Sequence, residues 1–181
     1  MTQTQPQQQP QLQLQLRPQL QAQLQAPPRT CRLRPAHAGD VEALQRFVGR
    51  LSLASRVQRF FVPLRELPAE QVRALRQADP AQRFVIAEAD AEPIALGQLA
   101  VQGEQGEIAL VVADAWQGGG VGSRLLGRLL DEASRGGLRE VVMHLLAGNR
   151  GMRALARRSG FDLQRDPGDA DLMIGRRRLA A

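Results

Sequence analysis

The sequence predicts a mixed α/β fold, mostly antiparallel with a single βαβ crossing, rather than a repeating βα chain. Three observations carry this. The apolar, β-branched run Glu107 to Ala113 is followed by four glycines within five residues (Gly118, Gly119, Gly120, Gly122) and then by helical spacing, which reads as strand, tight loop and helix start. Arg83 to Ala89 and Pro93 to Gln102 have strand character and are joined by the acidic turn Asp90-Ala91-Glu92, a hairpin. Helical patterns dominate everything before that hairpin.

The elements follow in order. Residues 1–28 carry 12 glutamines with interspersed prolines, and the Leu-Gln alternation has strand period but no evident partner. We read 1–28 as a disordered tail and 29–181 as one domain. Thr30 to Pro35 alternates and stops at proline, a first strand. Asp40 is placed to cap a helix whose apolar positions are Val41, Leu44, Phe47, Val48 and Leu51. Leu51 to Phe61 reads as a second short helix ending before Pro63, and Pro68 opens a third that runs through Ala78. After the hairpin and the Glu107 to Ala113 strand, Ser123 to Ser134 is a helix with Leu125, Leu126, Leu129 and Leu130 on one face, ended by Gly136-Gly137. Leu138 to Leu146 reads as a buried strand, Asn149 to Arg158 as a helix, and Phe161 to Gln164 with Asp171 to Arg177 as a closing strand pair.

The glycine loop is the chemical signal. Each glycine costs roughly 0.5 to 1 kcal/mol relative to alanine in ordered backbone, about 2 to 4 kcal/mol in all, so a function is expected in return. Consecutive N–H groups at a helix N-terminus, unobstructed by β-carbons, form an anion site suited to a pyrophosphate. A Walker loop is excluded because the chain has no lysine, and the dinucleotide fingerprint fails because Ser123 or Leu125 stands where its third glycine belongs.

Composition narrows the setting without choosing a partner. All 24 basic residues are arginine and the net charge is +6, yet no zinc-finger spacing or aromatic-studded basic strand appears, so no nucleic acid is expected. Cys31 is alone and cannot form an internal disulfide, which points to a reducing compartment. With no apolar signal core and no run of about 20 apolar residues, the expectation is a soluble cytoplasmic protein without a membrane role, a monomer or a homodimer. No metal is expected, because neither His37 nor His144 has Cys or Asp at ligand spacing, and both read as structural.

Gln117-x-x-Gly120-x-Gly122, after a strand and opening a helix, resembles the acyl-CoA motif of the GNAT superfamily of N-acetyltransferases. Gly148 to Phe161, an Asn opening a helix that closes on Gly-Phe, resembles that family's second cofactor-side segment. With L-S-L-A-S-R-V-Q-R-F-F at Leu51 to Phe61, the likeness narrows to the GNAT domain of bacterial protein lysine acetyltransferases, over about Arg32 to Phe161. The resemblance implies a six- or seven-stranded mixed sheet whose two central strands splay to admit acetyl-CoA, flanked by helices.

It also implies roles. Main chain at Val111, Val112 and Ala113 would pair with the pantetheine arm; N–H groups of Gln117, Gly118, Gly119, Gly120, Val121, Gly122 and Ser123 would hold the pyrophosphate; Asn149 would touch the cofactor, and Arg124 or Arg128 the 3'-phosphate. A lysine amine must lose a proton before it attacks, which costs about 4 kcal/mol at pH 7. Glu107, a lone acid in an apolar strand, is the candidate general base, in agreement with the family's glutamate in that strand. The family's usual acid, a Tyr five residues before the Phe, is Ala156 here and the chain has no Tyr, which leaves water or Ser159 to protonate the thiolate. The expected activity is acetyl transfer from acetyl-CoA to a primary amine in a ternary complex, a protein lysine first. A small-molecule amine or a protein N-terminus, or a catalytically weak acyl-CoA sensor, are the alternatives.

Overall fold

The computed structural model describes residues 30–180, so the glutamine-rich stretch 1–28 lies outside the described residues. Seven strands, β1 (Arg32–Pro35), β2 (Gln82–Ala89), β3 (Glu92–Gln102), β4 (Gln105–Val112), β5 (Glu140–Leu146), β6 (Asp162–Arg165) and β7 (Leu172–Arg178), form one sheet in the order β1-β2-β3-β4-β5-β7-β6. Five α-helices flank it: α1 (Val41–Arg50), α2 (Leu53–Phe60), α3 (Ala69–Gln77), α4 (Val121–Arg135) and α5 (Arg150–Arg158). Every pairing is antiparallel except β4 with β5, which α4 connects as the one parallel crossing.

Strand alternation sorts the core into two layers. In β2, Val85 and Ala87 join the cluster under α4 and α5, while Phe84 and Ile86 join the one under α1 and α3. In β4, Ile108 and Val112 belong to the first cluster and Val111 to the second. The predicted apolar stripe of α4 is buried throughout, with Leu125, Leu126 and Leu129 fully enclosed. That helix begins at Val121, two residues earlier than its spacing suggests, because Gly120 turns at φ 83° and its carbonyl accepts from the Arg124 N–H at 3.1 Å.

Asp40 does not cap α1 with its side chain. Its carboxylate is buried against Arg34, which donates to both oxygens at 2.7 and 2.8 Å, and it also accepts from the His37 amide at 2.8 Å. Arg34 bridges on to Glu88 at 2.8 Å, so the acid ties β1 and β2 to the turn before α1. The Arg34 hydrogen bond, against the opposing effect of burial, holds the Asp40 carboxyl below the usual carboxylate range.

Candidate active site

The site begins where β4 and β5 part. They share three rungs, Gln105 with Glu140, Gly106 with Val141 and Glu107 with Val142; beyond these, Ile108 to Val112 pair only with β3 and Met143 to Leu146 only with β7. The gap opens into a cavity of about 370 Å³ walled by both strands, α2, the glycine loop and α5. Ala113 donates to the Ile94 carbonyl at 2.8 Å. Antiparallel ladders alternate, so Val111 also faces β3, while Leu110 and Val112 turn their main chain toward the gap. Of the three residues expected to pair with pantetheine, Val111 and Ala113 are thus committed to β3. Val112 remains, and its carbonyl already accepts from Gln117 Nε2 at 3.0 Å.

The loop presents six amides in sequence, Gly118 to Ser123, that donate to no protein acceptor among the described residues. Gln117 differs from the expectation: its N–H reaches the Asp114 carbonyl at 3.3 Å and its side chain braces the loop through Val112 and Ser55. Gly118 and Gly120 have φ of 77° and 83°, a region costly for side chains, and a β-carbon at either would stand in open space. Gly122 serves closeness instead, a β-carbon there lying 3.4 Å from Leu155.

One wall of the cavity is α2, through Ser55, Gln58 and Arg59. Ser52 and Ser55, one helical turn apart, grip Asp114 at the end of β4: the Ser52 hydroxyl donates at 2.6 Å, its amide at 3.0 Å and the Ser55 hydroxyl at 2.8 Å. Burial works against the Asp114 charge, but these hydrogen bonds outweigh it and hold the carboxyl below its ordinary range. The Ser55 hydroxyl also accepts from Gln117, so the wall helix and the glycine loop are one hydrogen-bonded unit. Farther along α2, Arg59 is buried, donates to Gln98 Oε1 at 2.7 Å and leaves its Nε without a partner. Burial pushes Arg59 down to about 10, and the charge of Glu107 opposes that.

Of the expected site residues, Val111, Val112, Gln117, Gly118, Gly120, Gly122, Ser123 and Asn149 line the cavity. Ala113, Gly119 and Val121 do not, Val121 being buried in the core. Glu107 is exposed at the last shared rung, beside the cavity rather than in its wall. Asn149 caps α5, its Oδ1 accepting from Met152 at 2.9 Å, which leaves its Nδ2 for a ligand. Arg124 and Arg128 are otherwise engaged, Arg124 with Cys31 and Arg128 with Glu132, and the arginines at the cavity are Arg59 and Arg158. Ala156 is fully buried, and Ser159 lies outside the cavity wall, its carbonyl accepting from Arg177.

Sequence reasoning missed three features. The Ser52, Ser55 and Asp114 cluster had a signal, two serines on one helix face and an acid directly after a strand. Arg59 had none. His144, read as structural, is exposed in the cavity wall on a strand whose neighbours Met143 and Leu145 are buried. Among the described residues no group of His, Cys, Asp and Glu could hold a metal ion, and no helix is long and apolar enough to cross a membrane.

Two strands that part over a cavity, with a run of bare amides at a helix N-terminus beside it, match the arrangement that the resemblance implied for an acyltransferase drawing on a coenzyme A thioester. The chain belongs to the Acetyltransferase (GNAT) family, which matches residues 51–161. It is 32% identical over 151 residues to an acetyltransferase of Pseudomonas aeruginosa, covering 80% of this chain and 81% of that one. The GNAT domain of S. lividans PAT superposes with a TM-score of 0.75 at 26% identity, over 82% of this chain and 90% of the other. The PaiA N-acetyltransferase of Thermoplasma acidophilum, solved with coenzyme A, superposes with a TM-score of 0.69 over 83% and 99%; at 15% identity it supports the fold alone. The protein is therefore an acetyl-CoA-dependent acetyltransferase.

Proposed function

We propose that the chain transfers the acetyl group directly from acetyl-CoA to a lysine side chain of a protein, with Glu107 as general base. The observation that carries this reading is the place of Glu107, an exposed acid at the rung where β4 and β5 part, on the α1–α3 face of the sheet. No salt bridge or hydrogen bond ties its carboxylate among the described residues, which leaves it able to accept a proton. The polypeptide acceptor is supported by the α2 wall. Exposed Leu53, Phe61 and Val62 at its two ends offer apolar purchase beside the cavity. The 26% likeness to the GNAT domain of S. lividans PAT agrees with the motif on α2.

In this reading the amides of Gly118 to Ser123 hold the pyrophosphate, and the Asn149 amide reaches the bound arm. Main chain at Leu110 and Val112 aligns the thioester in the gap. Glu107 takes a proton from the docked ammonium, directly or through water, in the neutralisation that costs roughly 4 kcal/mol at pH 7. The unpaired Cys31 fits a reducing cytoplasm.

Mass spectrometry of a cell extract incubated with labelled acetyl-CoA and the protein is the test. Label on protein lysines is the expected result; label confined to N-termini or small amines contradicts the acceptor assignment. Glu107→Gln should lower turnover about 10²-fold with coenzyme A affinity unchanged, and unchanged turnover would remove Glu107 from the mechanism.

A further inference from the structure

We propose that His144 is a second catalytic residue, the one that carries a proton from the attacking nitrogen to the departing thiolate. The inference rests on the transferase reading above. Acetyl transfer strips two protons from an ammonium acceptor. Glu107 accounts for the first. When the C–N bond forms, the nitrogen carries a second surplus proton, and when the C–S bond breaks, the sulfur needs one. A neutral imidazole between the two can take the former and, as imidazolium, return it, ending neutral with all atoms balanced.

His144 has the place for this. It stands in the cavity wall on β5, two residues past Val142, which pairs with Glu107 at the last shared rung. Strand alternation puts it on the same sheet face as Val142, with Met143 and Leu145 turned into the core under α4 and α5. Its cross-strand neighbour Ile174 offers it no polar contact, and its imidazole has no hydrogen-bond or ion-pair partner among the described residues. An exposed histidine that holds nothing in place, inside the reaction cavity, has no role in the fold.

Elimination points the same way. Among the residues of the cavity wall, only Arg59, Arg158 and His144 are ionisable, and the arginines stay protonated in the neutral range. The charged groups that face this region are Arg59 from α2, Glu107 from β4, Arg158 from α5 and, two rungs along β7 and opposite Val142, Arg176, which is paired with Glu140.

The chain has only two histidines, which makes the test clean. With Nα-acetyl-lysine methylamide as acceptor and saturating acetyl-CoA, His144→Gln should lower kcat about 10²-fold, with acetyl-CoA affinity within twofold. Added imidazole should restore part of the turnover of His144→Ala in a concentration-dependent way. Addition of coenzyme A should move the His144 imidazole resonances and leave those of His37 in place. A His144→Gln enzyme within threefold of the parent overturns the proposal alone. A parent that binds coenzyme A but acetylates no amine overturns the transferase reading and the proposal with it.

Discussion

Gly120 separates the two jobs of the glycine loop, because its φ of 83° and the open space that a methyl group would enter there make strain and charge separable. Gly120→Ala meets no atom, so its cost is the left-handed backbone, about 1 to 2 kcal/mol. For a domain of this size that is a fall in Tm of about 2 to 8 °C. Gly120→Asp tolerates that backbone at least as well, so further loss must come from its charge. A carboxylate about 6 Å from one unit of phosphate charge costs about 3 kcal/mol at an effective dielectric of about 20, which is about 10²-fold in Kd. Titration calorimetry with coenzyme A should therefore show the Asp variant about 100 times weaker than the Ala variant. S-acetylpantetheine, which lacks the diphosphate, should bind both alike. An Asp variant within threefold of the Ala variant for coenzyme A would refute the idea that these amides hold the pyrophosphate.

Asp114→Ala removes the acceptor of three hydrogen bonds from Ser52 and Ser55; chemical denaturation should show a loss of about 1 to 2 kcal/mol, partial exposure discounted, and coenzyme A affinity should weaken severalfold as α2 and the loop uncouple. Unchanged affinity would sever the wall helix from the cofactor site. Asp40→Asn should cost about 2 to 3 kcal/mol at neutral pH. Because the folded carboxyls of Asp40 and Asp114 titrate below their unfolded value, their contribution is full above about pH 4 and fades as pH falls through the folded pKa. Thermal melts from pH 6 to pH 3 should thus show the gap between the parent and Asp40→Asn closing below about pH 4, and a gap constant with pH would contradict the stabilising role of the Arg34 pairing.

The order of strands and helices was readable because each element has a clean period, as in the Leu125, Leu126, Leu129 and Leu130 stripe, which is buried as expected. The loop was readable because Gly118 and Gly120 need a backbone that other residues adopt only with strain. What spacing hides is direction and distance. Asp40 sits where a cap belongs, yet Arg34 outcompetes the helix amides for its oxygens, and that pairing exists only once β1 lies against the turn. Val111 and Ala113 are in the right strand, but whether an amide faces β3 or the gap depends on register, which one residue reverses. The cluster of Ser52 and Asp114 joins residues 62 apart. His144 looked structural because nothing in an apolar run tells where β5 leaves β4.

The most direct measurement is a crystal structure with acetyl-CoA bound. The account expects pyrophosphate oxygens about 2.7 to 3.2 Å from amides between Gly118 and Ser123, and the thioester in the gap between β4 and β5 beyond the Glu107 and Val142 rung. A diphosphate seated on the arginines of α5 or β7, with those six amides facing solvent, would contradict it.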